Sequence, residues 1–150
     1  MSKLDTFNFI DLSALLILVV IIFSGSMGAS AVILEGTPTA DNLTGTSLDD
    51  FLSGGGGPDH LYGGNGNDEF DGREGADLVI GGNGSDIIFG GVGNDYLIGG
   101  PSKDQFFGGP GADVLQGGPG ADYFDCGLGI DKIIDFNASE GDIKLLNCEK

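Results

Sequence analysis

Apolar side chains recur every nine residues along most of the chain. Leu43, Leu52, Leu61, Phe70, Val79, Ile88, Leu97, Phe106, Leu115, Phe124 and Ile133 keep a constant interval of nine, with no insertion between them. Each stands between two variable residues, the period-two signature of a three-residue strand with one inward face. The six residues between one such strand and the next are rich in Gly, which reaches positive φ without steric cost, and read as tight turns. A turn of six and a strand of three, repeated, predicts an all-β solenoid. Nine residues are too few to wrap a core, but two units of nine suffice: turn, strand, turn, strand. The inward residues of the two opposed strands then meet in a thin core.

A second apolar pattern precedes the first. Residues 12–34 contain no charged side chain, and residues 14–23 are apolar without a break. Lys3 stands before this run and Ala29-Ser30-Ala31 after it. That order is expected of a secretory signal peptide over residues 1–31, with a mature chain starting near Val32. The same segment is also long enough to span a bilayer as one hydrophobic helix, so an uncleaved N-terminal anchor is the alternative. Both versions place the remainder outside the cell, because the few cations near the segment precede it.

Two residues before each periodic apolar position lies an aspartate: Asp41, Asp50, Asp59, Asp68, Asp77, Asp86, Asp95, Asp104, Asp113, Asp122 and Asp131. Five residues before each Asp stands Gly, from Gly36 to Gly117, until Cys126 takes the last such place. Gly also dominates the second and fourth places, as in Gly63-Gly64-Asn65-Gly66-Asn67-Asp68-Glu69-Phe70-Asp71. Successive amides and carbonyls of such a turn can converge on a small ion. Asp is the short carboxylate suited to a hard cation beside carbonyl oxygens.

These units resemble the hemolysin-type calcium-binding repeat, the RTX nonapeptide Gly-Gly-x-Gly-x-Asp-x-apolar-x, over residues 36–134. The resemblance implies a parallel β-roll of about eleven repeats, with calcium ions between successive turns held by the motif Asp and by backbone carbonyls. Carried over, Asp59, Asp77, Asp95 and Asp113 line one edge, and Asp68, Asp86, Asp104 and Asp122 the other. Asp50 and Asp131 are ligands in weaker terminal units, where Asp41 also belongs. About six to eight Ca2+ ions are expected on that reading, and they are expected to fold the chain as they bind.

Several units depart from the pattern. Those beginning Gly36-Thr37 and Gly45-Thr46 lack the later glycines and read as an N-terminal cap or as half-sites. Arg73 replaces a second Gly and Ser102 a fourth, which puts the geometry around Asp104 in question. After Ile134 the spacing stops: Glu140 falls where Asp is due and Asp142 where an apolar residue is due. Residues 131–136 read as a closing strand, and Leu145 and Leu146 are expected to cover the open end of the core, as a solenoid requires.

Composition narrows the function. Asp and Glu number 23 against six Lys and Arg, for a net charge of −17. Nucleic acid is excluded as a partner, because too few cations are present to neutralise phosphates. A single His excludes sites that need two imidazoles. No nucleophile–base constellation appears, so no enzymatic activity is expected. Cys126 and Cys148 are the only cysteines. In an exported chain they are expected to form a disulfide tying residues 135–150 back as a C-terminal cap, with two free thiols as the alternative. Outward positions of the middle units are often apolar: Leu78, Ile80, Ile87, Phe89, Tyr96, Ile98 and Phe107. These mark either ordinary β-propensity or an association surface. The expected function is extracellular calcium binding by a non-catalytic solenoid. The alternative is a surface adhesin or matrix protein that self-associates, or binds a cell-surface or matrix partner, through its apolar faces. Contact with a membrane is expected only through an uncleaved N-terminal segment.

Overall fold

The computed structural model of the protein describes residues 18–21 and 31–148. All regular structure among them is β, in two main sheets that face each other. The first contains Val32–Glu35, Phe51–Gly56, Glu69–Glu74, Ile87–Phe89, Gln105–Phe107, Tyr123–Asp125 and Ile143–Lys144, paired in that order. The second contains Asn42–Thr44, His60–Asn65, Leu78–Asn83, Tyr96–Ile98, Val114–Gln116 and Lys132–Ile133. The chain alternates between the two, so every neighbour within a sheet is the strand after next and all these pairings are parallel. Leu52 pairs with Phe70, Phe70 with Ile88, and Leu61 with Val79, each offset by eighteen residues. The expected coil of two nonapeptides is therefore the repeating unit, and about six coils are stacked.

One residue per strand points inward. Leu43, Leu52, Leu61, Phe70, Val79, Ile88, Leu97, Phe106, Leu115 and Phe124 are all buried, and Ile133 packs against them half-buried. Leu34 extends the series one unit toward the N-terminus. Stacked coils bring like residues together, so the Phe106 and Phe124 rings lie parallel, 5.0 Å apart. The second position of each regular turn takes a left-handed conformation, as Gly82 does at φ 113°. Arg73 and Ser102 adopt the same region at φ 70° and 107°, at a cost of ~1–2 kcal/mol each for a side chain there. The coil thus imposes its geometry even where Gly is missing, and Asp104 keeps its place.

The two ends differ from expectation. Leu18–Ile21 is a strand, antiparallel to Val32–Glu35, where a hydrophobic helix was expected. Val19, Val20 and Ile21 are β-branched, and pairing covers the first edge of the sheet. The rest of that segment, including the signal-peptide and anchor expectations, lies outside the described residues. At the other end, Leu145 and Leu146 do not close the core; both are exposed, Leu146 fully. The Cys148 N–H donates to the Leu145 carbonyl, and this turn brings Cys148 into the core, bonded to Cys126. The disulfide closes a loop of sequence separation 22, an effect of ~3 kcal/mol. Phe136 leans on Phe124 at 6.4 Å, and the Lys144 ammonium sits 5.2 Å from the Phe136 ring, finishing the cover.

Candidate metal centre

The aspartates of the repeat form two ladders, one along each edge of the coil. Each backbone N–H donates to the Oδ1 of the aspartate one coil later. Along one edge the bonds run Asp41 to Asp59, Asp59 to Asp77, Asp77 to Asp95, Asp95 to Asp113 and Asp113 to Asp131, at 2.8–2.9 Å. Along the other they run Asp50 to Asp68, Asp68 to Asp86, Asp86 to Asp104 and Asp104 to Asp122, also at 2.8–2.9 Å. All eleven side chains are buried. The period of nine explains this: Asp always ends a turn, two residues before an inward apolar residue, so its side chain is carried under the strand edge.

The second carboxylate oxygen tells the units apart. The Oδ2 atoms of Asp59, Asp68, Asp77, Asp86, Asp95, Asp104, Asp113, Asp122 and Asp131 have no hydrogen-bond partner. An unpaired buried acceptor is costly, ~1–3 kcal/mol and more when charged. Burial accordingly raises four of them well above the usual 3.8: Asp77 and Asp113 to about 6, Asp68 to about 7 and Asp104 to about 8. The ladder hydrogen bonds oppose that rise, and neighbouring carboxylates add to it. Asp59, Asp86, Asp95 and Asp122 are shifted the same way, again chiefly by burial.

In the units of Asp59, Asp68, Asp77, Asp86, Asp95 and Asp113 the bare oxygen lies beside a backbone carbonyl across the first Gly. A Cβ at Gly81 would collide with Asp86 Oδ2 and stand 2.8 Å from the Gly99 carbonyl oxygen. Gly63 has the same relation to Asp68 and the Gly81 carbonyl, and Gly90 to Asp95 and the Gly108 carbonyl. The first Gly of each of these units therefore keeps clear a small space where a carboxylate oxygen and a carbonyl oxygen converge. No group of three or more His, Cys, Asp or Glu converges among the described residues. The donor set is thus one carboxylate per turn together with backbone carbonyls. Hard oxygen donors of this kind suit Ca2+, which accepts many oxygens in flexible geometry; Mg2+ holds its waters and demands a tight octahedron.

In the first two units the chain itself supplies donors to Oδ2, while Asp41 Oδ1 stays buried without a partner. Asp41 Oδ2 accepts from the Thr37 N–H and Oγ1 at 2.6 and 2.8 Å. Asp50 Oδ2 accepts from the Thr46 N–H and Oγ1 at 2.5 and 3.0 Å. Asp50 was expected among the metal ligands; in the fold it joins its ladder, but the oxygen left bare elsewhere is taken. At the C-terminal end Asp142 holds the place expected of Glu140. Its Oδ1 accepts from the Asp122 N–H at 3.0 Å, and its Oδ2 accepts from the Asn137 N–H at 2.7 Å. A two-residue insertion restores the phase there, so the separation is 20 instead of eighteen. Asp135, unremarked in the sequence, accepts from the Gly117 and Gly118 N–H groups at 3.0 and 2.9 Å.

Comparison with curated proteins yields no match. The family model for the RTX calcium-binding nonapeptide repeat matches four times, over residues 44–79, 71–106, 80–115 and 98–133. Together these matches span residues 44–133, more than half of the chain and all nine aspartates whose Oδ2 is bare. The chain belongs to the family of RTX calcium-binding nonapeptide repeat proteins.

Proposed function

We propose that this protein is an extracellular calcium-binding module whose coils fold as Ca2+ binds, with a structural and not a catalytic role. The observation that carries the reading is the row of nine buried Oδ2 atoms without a donor, six of them beside a carbonyl that the first Gly of the unit keeps clear. Without metal, the rows of carboxylates repel one another and each bare oxygen is desolvated. A divalent ion between turns removes both penalties and fastens two coils, so binding free energy becomes folding free energy. We assign the ligands to the series from Asp59 to Asp131, which accommodates about six to eight ions. Asp50 stands outside the assignment because Thr46 satisfies it. Extracellular calcium modules bind at ~10⁻⁴–10⁻³ M, so such a chain folds on leaving a low-calcium cytoplasm. A signal peptide or anchor over residues 1–31 agrees with that route.

The test is a calcium titration of the full chain in detergent, starting from chelator and followed by far-UV circular dichroism. A cooperative gain of β signal with Ca2+ and not with Mg2+ is expected. A chain equally β-rich in chelator overturns the reading and leaves a metal-indifferent scaffold. The adhesin or matrix reading draws on exposed apolar residues of the sheets, among them Tyr62, Phe89 and Tyr96.

A further inference from the structure

The two outer faces of the coil carry different charge. The first sheet presents Glu35, Glu69, Asp71 and Asp125 among its outward residues. The outward residues of the second sheet include no Asp or Glu on any of its six strands. That absence stands out in a chain with 23 acidic residues. The centre of this face is apolar: Tyr62, Ile80 and Ile98 form one column, and Leu78, Tyr96 and Val114 the other. Tyr62 is 46% exposed and Tyr96 37%. His60 and Lys132 lie toward opposite ends of the same face.

We infer that this acid-free face is where a second copy of the chain docks, face to face. The choice of occupant follows from charge. A cationic partner is drawn to the carboxylate-bearing sheet and edges instead. Removing acids from one face matters for a partner that is itself acidic, and another copy at −17 is such a partner. Two copies meet here without opposing carboxylates. With the coil axes antiparallel, Leu78, Ile80, Tyr96 and Ile98 pack at the centre. The partner's Lys132 then falls at the Asn42–Tyr62 end, within reach of the Tyr62 ring, and the two Lys132 side chains are kept apart. Six strands at ~4.8 Å spacing give a face smaller than a standard stable interface, so association is weak, micromolar and not nanomolar. The inference rests on the calcium reading only in that calcium supplies the folded coil and lowers the net charge.

The experiment is sedimentation equilibrium of the full chain in calcium over a wide concentration range, with circular dichroism of every sample. The variants are Ile98→Asp and Tyr62→Glu on the acid-free face and Phe107→Asp on the other sheet. A monomer–dimer equilibrium is expected, weakened at least tenfold by either of the first two and unchanged by the third. A folded chain that stays monomeric overturns the inference, and so does association that ignores Ile98→Asp and Tyr62→Glu. Loss by Phe107→Asp to the same degree overturns it as well. Absence of a calcium-dependent β signal is instead the failure of the calcium reading.

Discussion

Replacing Asp95 by Asn separates the two jobs of a ladder carboxylate. Its Oδ1 accepts from the Asp77 N–H at 2.9 Å, while its Oδ2 is buried and bare. Asn keeps the shape and the Oδ1 acceptor and removes the charge. In chelator the change takes an uncompensated charge out of the fold, so D95N is no less stable than the parent. In calcium it removes a ligand, and the stabilisation from that site is lost, ~2.7 kcal/mol at a hundredfold excess over Kd. D95A also strands the Asp77 N–H, a further ~1–3 kcal/mol whether or not calcium is present. Urea unfolding read by far-UV circular dichroism measures all four quantities; trimethylamine N-oxide brings the metal-free fold into range. Equal losses for D95N with and without calcium refute the reasoning, and so does a D95N loss matching D95A in both. Either result makes Asp95 a structural hydrogen bonder and nothing more.

Acidity should act in opposite directions with and without metal. Burial raises the folded-state pKa of Asp77, Asp113, Asp68 and Asp104 to between about 6 and about 8, so the fold holds protons that the unfolded chain releases near 3.8. That stability is full below about pH 4 and is lost as pH rises through about 6 to 8. Circular dichroism in chelator should show β structure growing on acidification, and in calcium shrinking as protons displace the ion; a metal-free chain that loses structure in acid contradicts this. Thr46→Val removes the Oγ1 donor to Asp50 and costs ~1–2 kcal/mol by urea unfolding. The loss should be the same in calcium and in chelator, because no ion replaces that donor; a loss confined to calcium places a metal at Asp50.

The core was legible because its signal repeats: one inward residue in nine, from Leu43 to Phe124, needs only counting. The two Asp edges followed from the same count. The ends were harder because they break the period. Asp142 became visible only once a two-residue insertion was allowed, and Glu140 held the expected number. The closing role fell to Cys148 because a disulfide directs the chain more strongly than the apolarity of Leu145 and Leu146. Thr37 and Thr46 read as defects in a Gly pattern. Their part as donors depends on both the N–H and Oγ1 reaching one oxygen, which spacing alone does not reveal.

The eighteen-residue pitch sets which changes of length the molecule tolerates. Deleting one whole coil leaves every downstream residue on the side it already occupies, and the solenoid becomes one storey shorter. Deleting a single nonapeptide also preserves the core and the Asp spacing, yet it transposes everything downstream to the opposite sheet. Ile98 and Tyr96 would then continue a row that holds Asp71 and Glu69. Such a variant passes any screen for folding while its two outer surfaces are shuffled together. Copy number can therefore drift freely only in steps of two, and an odd step rewrites the exterior without touching the interior.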